Sequence, residues 1–111
     1  MREITQVEEL DGVLAESHEA PLILFKHSTR CPISTAANQR VEQFIGGGAE
    51  TPVVMVKVVE SRPLSNAIAE KLGVTHQSPQ VILVKGGQAV WNASHHQIGP
   101  KELTEAIAER A

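Results

Sequence analysis

The sequence contains a single cysteine, Cys31. A lone cysteine excludes an internal disulfide, and a structural zinc site would lack its usual thiolates. No metal site is expected, and Cys31 is either inert packing or chemistry. Aromatic residues are also scarce: two Phe, one Trp and no Tyr. Few rings and a formal net charge of -3 supply neither the stacking platform nor the basic face of a nucleic-acid surface, so no nucleic-acid partner is expected. No apolar run approaches the roughly 20 residues that cross a bilayer. The start, Met1-Arg2-Glu3-Ile4-Thr5, is charged where a signal peptide carries its apolar segment. The expectation is a cytoplasmic protein with no membrane partner.

What is present suits a soluble folded chain. Hydrophobic residues make up 41% and charged residues 21% of 111 residues, which fits one domain over residues 1–111. With so few rings, the core must come from Val, Ile, Leu and Ala. Val7, Leu10, Val13 and Leu14 recur at helical spacing, opposite Glu8, Glu9 and Asp11, and predict an amphipathic helix between residues 5 and 17. Residues 21–26 form a short continuous apolar run behind Pro21, the pattern of a strand buried on both faces.

After His27-Ser28-Thr29-Arg30, the pair Cys31-Pro32 opens a second helix carrying Ala37, Val41 and Phe44, which Gly46-Gly47-Gly48 ends. Residues 52–59 read as another strand. Ser61-Arg62-Pro63 then opens a third helix with Leu64, Ile68 and Leu72, stopped at Gly73. Residues 81–85 and 88–92 flank Gly86-Gly87 as a hairpin, and Gly99-Pro100 starts a last helix with Leu103 and Ile107 facing inward. The order combines a parallel β-α-β half with an antiparallel hairpin and a closing helix. It predicts an α/β, thioredoxin-like fold: a mixed central sheet of about four strands flanked by helices, with an extra N-terminal helix.

In this reading Cys31 sits at the head of a helix, just beyond the carboxyl end of a central strand. Helix N-termini stabilise thiolates, and open α/β sheets bind ligands at that end. Arg30 adds a neighbouring positive charge, His27 a second charge or a donor, and Ser28 and Thr29 hydroxyls for capping or for the sulfur. The competing reading is a small buried hydrophobe, against which the polar flanks of Cys31 argue. A second feature is Gln77-Ser78-Pro79-Gln80, before the third long strand. Proline at a strand's first residue is ordinary and usually trans, but thioredoxin-like proteins carry a cis-proline at this point, beside the active cysteine. Trp91 reads as packing. The adjacent His95 and His96 point different ways and make a paired metal site unsuitable; a binding role for His95 stays open.

Taken together, Phe25-Lys26-His27-Ser28-Thr29-Arg30-Cys31-Pro32-Ile33-Ser34, Gln77-Ser78-Pro79-Gln80 and Trp91-Asn92-Ala93-Ser94-His95 resemble the monothiol bacilliredoxins of the YtxJ type. The resemblance spans nearly the whole chain and is most specific around Cys31-Pro32-Ile33-Ser34. It implies a thiol-disulfide oxidoreductase that removes bacillithiol from cytosolic protein mixed disulfides. Cys31 is then the nucleophile and the acceptor of the bacillithiol adduct. His27, Ser28, Thr29, Arg30, Pro32, Ser34, Ser78 and Pro79 form the expected substrate-binding surface, with Pro79 as the cis-proline. The resemblance implies no bound cofactor, with bacillithiol as thiol co-substrate and bacillithiolated proteins as partners. Dithiol relatives carry a second cysteine where this chain has Ser34, so resolution must be intermolecular. Ser34 either donates to the sulfur or is a small polar replacement. Two other readings remain: a monothiol glutaredoxin-like protein using glutathione, whose Cys-Gly-Phe-Ser motif Pro32 and Ile33 do not match, and a redox-inactive thioredoxin-like module that binds a protein.

Overall fold

The apolar run ahead of the cysteine becomes the middle strand of a five-stranded sheet in a computed structural model that describes residues 1–111. In chain order the elements are β1 (Arg2–Glu3), α1 (Val7–Glu16), β2 (Leu22–His27), α2 (Pro32–Gly46), β3 (Val53–Lys57), α3 (Arg62–Leu72), β4 (Gln80–Lys85), β5 (Gln88–Ser94) and α4 (Pro100–Arg110). A 3-10 turn, His95–Gln97, links β5 to α4. The sheet order is β1-β3-β2-β4-β5. The pairs β1·β3 and β2·β3 are parallel, and β2·β4 and β4·β5 are antiparallel.

This is the thioredoxin-like α/β fold with one more strand than the sequence suggests. β1 is only two residues long and exposed, so it has no periodicity to read, yet it pairs Arg2 with Val54 and Glu3 with Met55. The N-terminal helix therefore follows a strand rather than standing outside the sheet.

All six residues of β2 are buried because helices cover both faces of the sheet. Leu22 and Leu24 pack with Leu10 and Val13 of α1 and with Leu64 and Ile68 of α3. Ile23 and Phe25 pack on the other face with Ala37, Val41 and Phe44 of α2 and with Leu103 and Ala106 of α4. Strand alternation then sends the last two side chains, both polar, to opposite faces: Lys26 toward the α1/α3 layer and His27 toward α2. Gly86 and Gly87, with φ of 61° and 76°, make the tight connection from β4 to β5 that the sequence signals. The same turn is tied to the end of α1, where the Gly86 N–H donates to Ser17 O and the Gly87 N–H to Ser17 Oγ, both at 2.8 Å.

Candidate active site

The register of the sheet decides which residues share an end. β2 and β4 are antiparallel with Lys26 opposite Gln80, so the chain leaves β2 at His27 where it enters β4 from Pro79. The segment 28–31 and the pair Ser78-Pro79 are thereby set at one end of the sheet. The Ser78-Pro79 peptide is cis.

Cys31 is the N-cap of α2, in extended conformation (φ -111°, ψ 121°), with Pro32 in the helix's first turn. Its N–H donates to Ser28 O at 3.3 Å, which closes the turn out of β2. Its carbonyl accepts from the Thr35 N–H at 2.9 Å and from Thr35 Oγ1 at 3.2 Å. The first amides of a helix lack intrahelical acceptors, and a thiol at the N-cap lies beside them. The thiol is free and the residue half-buried. Thr29, Arg30, Pro32 and Ile33 around it are exposed, Ile33 to 48% despite its apolar side chain.

Ser34 lies one turn on and is fully buried. Its Oγ accepts from the Ser28 N–H at 2.9 Å and lies 2.7 Å from His27 Nδ1. Burial, then the charge of Lys57, lowers the pKa of His27, against smaller opposite effects from Glu60 and Glu42. The ring is neutral, and Nδ1 is the hydroxyl's one acceptor within hydrogen-bond reach, so we assign Ser34 Oγ–H to Nδ1 and the ring proton to Nε2. The hydroxyl is used inward, and no hydrogen bond joins it to the Cys31 sulfur. Thr29 Oγ1 donates to Glu60 Oε2 at 3.3 Å, and the Val58 N–H donates to His27 O at 3.0 Å, binding the loop to the chain beyond β3.

On the β4 side, Pro79 is buried and Ser78 half-buried with its Oγ unpartnered. The Pro79 carbonyl accepts from the His95 N–H at 3.2 Å. His95, with φ 56°, is held in turn by Arg40 of α2, which donates from Nη2 to His95 O at 3.0 Å and from Nε to Ile98 O at 2.6 Å. Arg40 escaped the sequence reading because its partners are backbone carbonyls more than 50 positions away, which leave no motif. Lys26 escaped it too. It ends an apolar run, where a lysine reads as the way out to solvent, but the alternation continued through it and points inside. Trp91 is half-buried against the second core, and His95 and His96 belong to no cluster of metal-ligating side chains.

A thioredoxin fold with a free thiol at the head of α2, level with a cis-proline before β4, defines a thiol-disulfide oxidoreductase. The sequence model of the family described as monothiol bacilliredoxin BrxC matches residues 2–103, and the chain belongs to that family. A solved protein described as an oxidoreductase with a thioredoxin fold is 30% identical, with a TM-score of 0.86 over 95% of this chain and 91% of its own. Thioredoxin from Fasciola hepatica superposes with a TM-score of 0.77 at 20% identity over 100% of both chains. Mitochondrial thioredoxin 3 from Saccharomyces cerevisiae gives 0.74 at 20% identity over 98% of this chain and 94% of its own. The last two bear on the fold alone.

Proposed function

We propose that the protein takes bacillithiol from mixed disulfides of cytoplasmic proteins onto Cys31 and passes it to a second bacillithiol. One observation carries this reading: the residue with the single thiol occupies the N-cap position of α2 while Ser34, where dithiol relatives hold a resolving cysteine, is buried and hydrogen-bonded inward. Thiol-disulfide exchange then proceeds in two displacements. The Cys31 thiolate attacks the bacillithiol sulfur, a new S–S bond forms, and the client's sulfur leaves as a thiolate that takes up a proton. A second bacillithiol thiolate then attacks the outer sulfur of the adduct, giving bacillithiol disulfide and the Cys31 thiolate. Each step breaks one S–S bond and makes one, so no other oxidant or cofactor enters.

The surface offers what this ligand needs. Arg30 is exposed and in no ion pair, which leaves its guanidinium free for the carboxylates of bacillithiol. Ser28, Thr29 and the Ser78 backbone supply further polar contacts, and Pro32, Ile33 and Pro79 supply apolar ones. His27 and Ser34 act from beneath, by holding the 28–31 turn. The test is mass spectrometry of the reduced protein after incubation with a bacillithiolated peptide. A bacillithiol adduct on Cys31, lost in Cys31→Ser together with turnover, is the expected result. An adduct with glutathione and none with bacillithiol would move the reading to a glutathione-dependent enzyme, and no adduct with either would leave a binding module.

A further inference from the structure

Lys26 is the only lysine, arginine or acid among the buried residues, and it is 0% exposed. It takes part in no ion pair. Its Nζ lies 3.2 Å from Nδ1 of His76, in the segment between α3 and β4, and Ser65 Oγ of α3 lies 3.5 Å from the same nitrogen. Beside it in the sheet, its cross-strand partner Gln80 is equally buried. Gln80 donates from Nε2 to Thr75 O at 3.1 Å and accepts at Oε1 from the Gln77 N–H at 3.4 Å. Two neighbouring strand ends thus reach under one short stretch, residues 75–77, directly ahead of Ser78 and Pro79. A buried amine is costly unless it is bonded, and an ammonium with three donors here has one side-chain acceptor. An apolar residue would fill the site without that cost, so packing does not account for a lysine there.

We propose that Lys26 is a positioning residue for substrate: through His76 it latches residues 75–77 to the sheet and so sets Ser78 and Pro79 where they receive a disulfide. This rests on the reading of that edge given under Proposed function. His76 is itself exposed, and its pKa is lowered by partial burial, then by the charges of Lys26 and Arg62, so it stays a neutral acceptor. Burial lowers the Lys26 pKa to about 8. The ammonium is the stronger donor, so the latch weakens as pH rises through that value. The groups facing this pair are Ser65 and Arg62 from α3, Gln80 from β4 and the apolar Val56 from β3.

The experiment is steady-state turnover of a bacillithiolated peptide between pH 6.5 and 9.5 by the wild type, Lys26→Met, His76→Ala and His76→Asn. Cys31 alkylation by iodoacetamide is followed in parallel. Losing one charge-assisted hydrogen bond should raise KM about 10-fold in Lys26→Met and His76→Ala, with kcat and alkylation rate within about twofold of wild type. His76→Asn keeps an acceptor near the position of Nδ1 and should restore most of the wild-type KM. Wild-type KM should rise through about pH 8, and the rise should be absent in Lys26→Met. His76 is on the surface, so its variants report even if Lys26→Met folds poorly. Unchanged KM in His76→Ala, or His76→Asn as impaired as His76→Ala, overturns the latch while leaving the enzyme reading intact. No turnover by the wild type overturns both.

Discussion

At Ser34 a buried hydroxyl in the first turn of α2 ties down the loop after β2, through the Ser28 N–H and His27 Nδ1. Ser34→Ala would strip a partner from the Ser28 N–H and from His27 Nδ1 together. Leaving those groups unpaired should cost about 2–3 kcal/mol in denaturant unfolding, whereas a loss under about 0.5 kcal/mol would show that neither bond holds the turn. His27 gives the same site a pH dependence. Its pKa in the folded chain is lowered, chiefly by burial. Once pH falls below the ordinary histidine value of 6.5, the unfolded ring binds a proton that the folded ring refuses. Stability is therefore full above that pH and is lost as pH falls through the folded value. Unfolding measured at pH 7 and pH 5 should show a smaller acid loss in His27→Gln than in wild type; equal losses would place the proton elsewhere. None of this was readable in advance. Ser34 reads as a polar residue near the start of a helix and His27 as a loop residue until α2 packs on β2 and encloses both.

Among the elements, α2 does more than carry the cysteine at its head, because Arg40 on its side holds the turn that braces Pro79. Arg40→Ala should speed amide exchange at His95, whose N–H bonds to Pro79 O, and should cost about 1–2 kcal/mol for two charge-assisted bonds to carbonyls. Unchanged protection at His95 would mean that the turn stands without the arginine. Element boundaries were legible where chemistry marks them: Pro32, Pro63 and Pro100 in the first turns of α2, α3 and α4, and the Gly86-Gly87 turn. They were not legible where length or polarity hides them. β1 has two residues, too few for any alternation, and His27 reads as loop because a polar side chain at a strand end carries no local sign of burial.

On the scale of the whole molecule, the sheet separates two apolar layers, one against α1 and α3, the other against α2 and α4. Ile68→Ala and Val41→Ala fall in different layers. Their losses of stability, about 2–5 and 1–3 kcal/mol, should add within about 0.5 kcal/mol in the double variant; a larger departure would show strain passing through the sheet. The two-sided burial of β2 was visible as an unbroken apolar run. The placing of the 28–31 segment and Ser78-Pro79 at one end of the sheet was not, because it depends on Lys26 pairing with Gln80, and only the likeness to known relatives anticipated it. With β3 on one side and β4 on the other, β2 has no free edge from which to fray, and Cys31 begins four residues past its last one. Its amides should exchange only when the entire chain opens. The Cys31 thiol is thus hung from the part of the protein that melts last, and heat should extinguish the proposed activity along the unfolding curve itself, with no folded but inactive state on the way.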